Sequence, residues 1–153
     1  MKPSAAGFYL DTCVLVSLFH NDSGYGAAEI WLAASGQQAL WISHWVLVEF
    51  ASATALRMRR RELSSSRAAQ IQEELETFRR ERLGLLEPCA EDFLLARRWI
   101  VEERKLSLRA GDALHLAVAH RHRFPLVSAD QTLLAAAHQL GCEILAVPSP
   151  PVD

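Results

Sequence analysis

Short apolar segments alternate with helical segments along this chain, and that alternation restricts its fold more than any other feature. The pattern predicts five buried strands, at residues 8–10, 39–42, 83–86, 125–128 and 143–147. It predicts about seven helices. Six lie at 12–19, 24–34, 44–60, 91–105, 110–121 and 131–140, and one begins after a serine cap at 64–66. Such alternation through short connections favours a three-layer α/β/α fold, in which helices cover both faces of a parallel sheet. Within 91–105, the apolar residues expected to face inward are Phe93, Leu95, Ala96, Trp99 and Ile100.

The size and composition suit one compact domain. Half of the 153 residues are hydrophobic, which is enough for the core of a domain that we place at residues 1–147. The remaining residues, 148–153, form a proline-rich tail that cannot extend a helix or strand far. The formal net charge of -2 provides no overall basic field of the kind that marks a nucleic-acid or membrane partner.

Cysteine content and hydropathy predict a cytoplasmic protein. The three cysteines, Cys13, Cys89 and Cys142, are far apart, so they favour neither a disulfide framework nor a thiolate zinc site. Such sparse use is typical of a reduced, intracellular compartment. The N-terminal segment makes a poor signal peptide because Asp11 interrupts it. No apolar run approaches the roughly 18 residues of a membrane-spanning helix, so we expect no membrane partner.

Four carboxylates stand in apolar surroundings and are the candidate functional residues. They are Asp11 in YLDTCVL, Glu49 in WVLVEFASA, Asp112 in RAGDALHLA and Asp130 in LVSADQTLL. The three aspartates also lie near predicted helix starts, where aspartate is a favoured N-cap that satisfies free amide protons. Asp112 could instead pair with Arg109, three residues before it.

Glu49 is the acid that capping does not explain. It lies in the middle of a predicted helix that is apolar on nearly every side, and no cationic residue lies one turn away. A buried carboxylate without a partner normally becomes neutral or pairs with a positive charge. Glu49 therefore requires a cation from elsewhere in the fold.

Taken together, the four acids favour a metal site. Asp11 and Asp130 follow predicted strands, and the carboxyl ends of parallel strands open at one edge of the sheet, where ligands bind. Asp112 starts the helix before the second of these strands, and Glu49 completes the set if it points to the same edge. Clustered carboxylates repel one another, so their convergence makes sense around bound cations. Oxygen ligands without histidine or cysteine select Mg²⁺ or Mn²⁺.

The same segments resemble a known family. LDTCVLV near the start, VEFASA in the third helix, DALHLAVA, and LVSADQTL near the end are similar, in this order and spacing, to PIN domains. The similarity is specifically to the VapC-type toxins of bacterial toxin–antitoxin pairs, and it covers almost the whole chain. It implies a twisted five-stranded parallel sheet between helices. It also implies a metal-dependent endoribonuclease that cuts RNA, binds a cognate antitoxin protein and forms a homodimer.

The resemblance also implies roles for individual residues. The acidic metal-binding quartet of the family corresponds to Asp11, Glu49, Asp112 and Asp130. Thr12 and Ser128 match its supporting hydroxyl positions, whereas relatives often have Ser or Asn in place of Cys13, which we expect to face the site weakly or not at all. The quartet would hold Mg²⁺, or Mn²⁺, to activate water for phosphodiester hydrolysis without a covalent nucleophile. The intact acids disfavour the alternative, a catalytically silent or regulatory PIN-like RNA-binding domain.

Basic clusters are the candidate RNA contacts. Arginines are concentrated at 57–61, 79–82 and 121–123. Each cluster could follow an RNA backbone, or could be a solvated helix end that complements the helix dipole. We prefer Arg57 and Arg61 because they end the helix that bears Glu49, and we add Arg109 because its position near Asp112 could face a phosphate.

Other features of the sequence are less specific. An exposed apolar rim among the first helices could receive an antitoxin helix or segment. His115 lies three residues after Asp112 and could contact the site, but the histidines lack zinc-binding spacing, and a core or surface role is favoured. An aspartyl-phosphate phosphatase or a phospho-receiver is disfavoured, because Cys13 replaces the second aspartate and the chain has only Lys2 and Lys105 as helper lysines.

Overall fold

The computed structural model describes residues 6–148, and its elements follow the predicted alternation. The strands are β1 (Phe8–Leu10), β2 (Leu40–Ser43), β3 (Leu83–Leu86), β4 (Leu126–Ser128) and β5 (Ile144–Ala146). The helices are α1 (Thr12–His20), α2 (Tyr25–Ser35), α3 (His44–Arg59), α4 (Ser65–Arg82), α5 (Ala90–Glu102), α6 (Ala110–His122) and α7 (Gln131–Gln139). Within the described residues, these five strands and seven α-helices confirm the predicted α/β class.

The sheet is wound in two directions from its central strand. Its order is β3-β2-β1-β4-β5, and all neighbouring strands are parallel. Tyr9 of β1 is in register with Trp41 on one side and with Leu126 on the other. The chain therefore builds one half of the sheet through β2 and β3 and the other half through β4 and β5. A switch of this kind opens a crevice at the carboxyl ends of β1 and β4, where α/β proteins bind ligands.

The core lies on both faces of this sheet. Strand residues such as Leu10, Ile42 and Val127 are fully buried, and together with apolar helix residues they form one continuous cluster. Helix α6 is the most deeply placed, since every residue from 113 to 119 is buried. This burial explains why α6 has no clear polar face in the sequence: it is covered nearly all round.

Local backbone features determine where the helices begin and end. The side chain of Ser64 accepts a hydrogen bond from the amide of Arg67 at 3.1 Å and starts α4, as predicted. The helix predicted at 91–105 ends at Glu102, because Glu103 leaves the helical region, and a 3₁₀ turn follows at Arg104–Leu106. The inward orientation predicted for Phe93 is wrong, since 56% of that side chain is exposed.

The described part of the chain leaves some predictions open. Residues 1–5 and 149–153 lie outside it, so the single domain at 1–147 and most of the tail at 148–153 stay predictions. None of the helices between residues 6 and 148 is both long and apolar enough to cross a bilayer.

Candidate active site

Asp11 follows β1 at the switch point of the sheet, as predicted. It occupies the N-cap position of α1, but its side chain makes no capping hydrogen bond. Its Oδ2 instead accepts hydrogen bonds from Ser128 Oγ at 2.7 Å and from Cys13 Sγ at 3.2 Å. The capping alternative therefore does not account for the carboxylate of Asp11, which faces across the sheet edge toward the end of β4.

Cys13 contacts this site through weak thiol hydrogen bonds. Besides its bond to Asp11, its sulfur lies 3.5 Å from Ser128 Oγ. Burial, with the negative charge of Asp11, raises the pKa of Cys13 to about 12. The thiol is therefore protonated at neutral pH, and it acts as a weak hydrogen-bond donor to the carboxylate.

Glu49 has a hydrogen-bond partner from elsewhere in the fold, His115 of α6, and Arg109 adds positive charge nearby. One carboxylate oxygen, Oε1, accepts hydrogen bonds from His115 Nε2 and, at 2.8 Å, from Thr12 Oγ1. Burial raises the pKa of Glu49, but these two hydrogen bonds and the charge of Arg109 more than offset burial and hold the pKa below its ordinary value. Glu49 is therefore an ionised, oriented carboxylate that belongs to the sheet edge.

Asp112 and Asp130 are linked by Arg109. The Arg109 guanidinium lies 3.1 Å from Asp112 Oδ2 through Nε and 3.6 Å from Asp130 Oδ2 through Nη2. Burial raises the pKa of Asp112, the charges of Asp11 and Asp130 raise it further, and Arg109 offsets only part of this effect. The local ion pair that the sequence left open for Asp112 is thus present, and it coexists with repulsion among the acids.

Asp130 has two roles in the structure. Its Oδ1 caps α7 by accepting hydrogen bonds from the amides of Thr132 at 2.9 Å and Leu133 at 3.1 Å. Its Oδ2 faces Arg109. The capping alternative is therefore confirmed for one oxygen, while the other remains directed to the site.

The donor set has the chemistry that a hard cation requires, although its side chains do not enclose one. Among residues 6–148, no three Asp, Glu, His or Cys side chains stand close enough together to hold a metal ion. Arg109 supplies positive charge between Asp112 and Asp130, and its side chain is 77% exposed, so it is free to turn into solvent. The raised pKa of Asp112 and the unbonded Oε2 of Glu49 fit a cation at this edge.

His115 contacts the site, a possibility that the sequence left open while favouring a core or surface role. Its side chain is fully buried, and its Nδ1 lies 2.8 Å from the hydroxyl of Tyr9, which in turn lies 2.8 Å from Ser43 Oγ. The available signal was its spacing of three from Asp112, which places both residues on one side of α6. Its apolar neighbours favoured a core role, and the structure gives His115 a position that is both in the core and under the site.

Gly111 allows α3 and α6 to approach each other beside Glu49. A Cβ atom at this position would lie 3.1 Å from Glu49 Oε2 and 3.2 Å from Trp45 Nε1. A larger residue would therefore displace the carboxylate or the indole ring. Even an alanine would require one of these side-chain atoms to shift by a few tenths of an ångström.

The predicted RNA contacts divide between two regions. Arg109 lies among the acids, whereas Arg57 lies about 12 Å from Glu49 along α3, and Arg61 is farther away and exposed in the turn that follows. Arg57 also donates to the carbonyl of His20 at 3.3 Å, so its guanidinium is partly used within the fold. The structure does not bring Arg57 and Arg61 into the acidic crevice.

The other two basic clusters are largely paired. Arg79 and Arg80 both bond to Glu76 on α4. Arg121 forms a bidentate pair with the buried Asp92 of α5. These arginines therefore have structural partners, which weakens the case for 79–82 and 121–123 as RNA contacts.

Comparisons with known proteins identify the fold. The family model described as the PIN domain matches residues 8–139. The FitAcB complex from Neisseria gonorrhoeae is 19% identical with a TM-score of 0.66, and the match covers 93% of this chain and 97% of that one. None of the curated protein sequences compared with the chain matches significantly.

Two further solved structures have the same fold. VapBC from Salmonella typhimurium, bound to DNA, is 16% identical over 92% of this chain and 97% of that one, with a TM-score of 0.68. Mycobacterium tuberculosis VapC20, a toxin that cleaves the sarcin-ricin loop, is 20% identical with a TM-score of 0.66, and the match covers 85% of this chain and 95% of that one. At these identities the likeness establishes a shared fold.

Proposed function

Because the chain belongs to the PIN domain family, we propose that it is a metal-dependent endoribonuclease and the toxin of a toxin–antitoxin pair. The observation that carries the proposal is the meeting of Asp11, Glu49, Asp112 and Asp130 at the switch point of the sheet. Burial is the main cause of the raised pKa of Asp112, and the charges of Asp11 and Asp130 raise it further. Isolated helix caps would not affect one another in this way.

The proposed cofactor is Mg²⁺, with Mn²⁺ as a second possibility. Oxygen donors from the four acids would hold it, with Glu49 contributing through Oε2, its oxygen without a hydrogen bond in the described structure. When bound, the ion supplies an activated water and neutralises charge on the scissile phosphodiester. Thr12 and Ser128 keep the carboxylates of Glu49 and Asp11 oriented through hydrogen bonds of 2.8 Å and 2.7 Å.

Arg109 has a place in this proposal as a phosphate contact. In the described structure it neutralises Asp112 and Asp130. With a cation held by Asp112 and Asp130, the exposed guanidinium of Arg109 would be free to make a bidentate contact with an RNA phosphate at the mouth of the crevice. Arg57 and Arg61 would contact a more distant part of the same strand.

The test of the activity uses one variant and one matched control. Purified protein is incubated with a mixture of single-stranded and hairpin RNA oligonucleotides in Mg²⁺, in Mn²⁺ and in EDTA. We expect cleavage only with metal, and a loss of about 100-fold or more in Asp112→Asn. Glu73→Gln, which removes an exposed acid of α4, should cleave normally.

Two results would contradict the proposal. Cleavage that survives EDTA or the Asp112→Asn substitution would refute a metal-dependent mechanism at this site. Metal-dependent RNA binding without any cleavage would instead favour the alternative of a silent or regulatory RNA-binding domain. We propose that this activity acts in the cytoplasm, where an RNA substrate would be available.

The proposed partners are a cognate antitoxin and a second copy of the chain. Support for the antitoxin comes from the structural neighbours that are toxin–antitoxin complexes. The exposed apolar Ile30 of α2, 72% exposed, is a candidate contact for it, on the rim of first helices predicted from the sequence. Support for the homodimer comes from α5, where the apolar Phe93, Leu94 and Val101 are all more than half exposed.

Reciprocal substitutions separate the two interfaces. We expect Val101→Glu to produce a monomer in analytical ultracentrifugation and to leave antitoxin binding intact. We expect Ile30→Glu to do the reverse, when the protein is co-expressed with the product of a small open reading frame directly upstream. A Val101→Glu protein that remains dimeric would refute the α5 interface. Cleavage unaffected by the upstream product would refute the pairing.

A further inference from the structure

His115 forms the base of the candidate site and is bonded at both ring nitrogens. Its Nδ1 contacts the hydroxyl of Tyr9 at 2.8 Å, and its Nε2 contacts Glu49 Oε1. Nε2 also lies 3.4 Å from Thr12 Oγ1 and 4.0 Å from Asp11 Oδ1. The ring is fully buried, so these protein atoms, rather than water, determine its orientation.

The partners of the ring determine which nitrogen donates. An ionised carboxylate can only accept hydrogen bonds, so the proton between His115 and Glu49 belongs to Nε2. The hydroxyl of Tyr9 can donate to Nδ1, and Ser43 Oγ, 2.8 Å away, can donate to the tyrosine oxygen. The chain Ser43–Tyr9–His115–Glu49 is thus satisfied from one end to the other with a single tautomer.

We infer that His115 is a positioning residue that holds the carboxylate of Glu49 in place for metal binding. The inference rests on the proposed metal-dependent function. His115 and Thr12 both bond to Oε1, so they leave Oε2 as the oxygen that is free for a cation. Gly111 leaves room for that oxygen, since a Cβ there would approach it to 3.1 Å. Hydrogen-bond partners of metal ligands commonly contribute 10- to 100-fold to metal affinity.

Two amide variants separate this role from simple packing. In His115→Gln, the amide nitrogen takes the place of Nε2 and keeps a donor to Glu49, while the bond to Tyr9 is lost. In His115→Asn, the amide nitrogen takes the place of Nδ1, so the bond to Tyr9 is kept and the donor to Glu49 is lost. Both variants leave part of the buried ring volume unfilled, so both lower thermal stability.

The readout is the dissociation constant for Mn²⁺, measured without RNA from the electron paramagnetic resonance signal of free Mn²⁺. We expect His115→Asn to weaken Mn²⁺ binding by about 10-fold or more, and His115→Gln to remain within about threefold of the wild type. In a Glu49→Ala background, His115→Asn should have no further effect on Mn²⁺ affinity, because the group it positions is absent. Asp112→Asn serves as the control that abolishes binding.

The outcomes distinguish failure of this inference from failure of the proposed function. Wild-type protein that binds no Mn²⁺ would refute both together. Three results would refute the positioning role alone. The first is normal Mn²⁺ affinity in His115→Asn, and the second is an equal loss of Mn²⁺ affinity in His115→Asn and His115→Gln. The third is a loss of Mn²⁺ affinity from His115→Asn that is just as large in the Glu49→Ala background. If the histidine variants do not fold, Tyr9→Phe tests the same chain, and it should weaken Mn²⁺ binding severalfold. Unchanged affinity in Tyr9→Phe would then refute the role.

Discussion

The pair of Asp92 and Arg121 provides the sharpest test of the structure outside the site, because Arg121 lies in one of the basic clusters that the sequence offered for RNA. Arg121 Nε and Nη2 bond to the two oxygens of Asp92 at 2.7 Å and 2.9 Å. Nη2 also donates to the carbonyl of Glu87 at 3.2 Å. The pair connects α6 to the start of α5, so we expect Arg121→Ala to act on stability rather than on RNA.

The expected loss of unfolding free energy in Arg121→Ala follows from the burial of Asp92. The side chain of Asp92 is only 1% exposed and that of Arg121 is 34% exposed. Removing the arginine leaves a buried carboxylate with one remaining donor, the amide of Cys89 at 2.9 Å. Breaking a buried pair in this way costs 3–5 kcal/mol, and the partial exposure of Arg121 places the expected loss at the lower end, about 3 kcal/mol. For a chain of this size, that corresponds to a fall in melting temperature of about 6–12 °C.

The loss should depend on pH in a definite direction. Burial raises the pKa of Asp92, but Arg121 and the amide of Cys89 outweigh it and hold the folded-state pKa below its ordinary value. A lowered folded-state pKa stabilises the protein above the unfolded value of about 3.9, and this stabilisation is lost as the pH falls through the folded value. The difference in unfolding free energy between wild type and Arg121→Ala should therefore be largest at pH 7 and should decrease in acid.

Urea titration and calorimetry measure the effect. Arg98→Ala, which removes an exposed arginine of α5, is the matched control and should change the free energy of unfolding by less than about 0.5 kcal/mol. A double-mutant cycle of Asp92→Ala and Arg121→Ala should give a coupling free energy of about 1–2 kcal/mol between the two side chains. The structural role would be refuted if Arg121→Ala lowered the free energy of unfolding by less than about 1 kcal/mol. It would also be refuted if the fully folded variant lost RNA cleavage.

Three further predictions concern the acidic site. Asp112→Asn should raise the melting temperature of the metal-free protein at neutral pH, because burial, Asp11 and Asp130 raise the pKa of Asp112 and disfavour its charged form. This gain in melting temperature should vanish as the pH falls below that raised pKa. A lower melting temperature of Asp112→Asn at pH 7 would contradict the prediction. Gly111→Ala should lower cleavage and Mn²⁺ affinity with little change in unfolding free energy, whereas Gly26→Ala, where a Cβ meets nothing within 4 Å, should leave cleavage unchanged. Arg109→Gln should tighten Mn²⁺ binding in calorimetric titrations while weakening RNA binding, and weaker Mn²⁺ binding would contradict its place between two acids.

The fold could be predicted from the sequence because its determinants are local. A run such as Phe8–Leu10 followed at once by a helix favours a short buried strand, and the observed bounds of β1 match the predicted ones. Errors arose where the neighbour was distant in sequence. Phe93 has the spacing of an inward residue, but it lines an open pocket beside Trp45 and Leu114, and it stays 56% exposed.

The acids of the site could be predicted for the same reason, and their partners could not. Asp11 and Asp130 follow strands, so the topology alone brings them to one edge. The contact of Glu49 with His115 joins positions 66 residues apart, and it depends on how closely α3 approaches α6 beside Gly111. Helical periodicity indicates which side of each helix is buried, but it does not determine the register between two helices.

The position of His115 also explains why its apolar surroundings were misleading. A histidine between leucines in a buried helix is normally a core residue, and His115 is completely buried. An unpaired imidazole nitrogen in the core costs free energy, however, and a core made only of aliphatic side chains provides no partner. The partners lie on β1 and α3, in the Tyr9 hydroxyl and the Glu49 carboxylate. The partner that Glu49 needs and the acceptor that His115 needs are therefore the same contact, and each buried polar group could have been used to find the other.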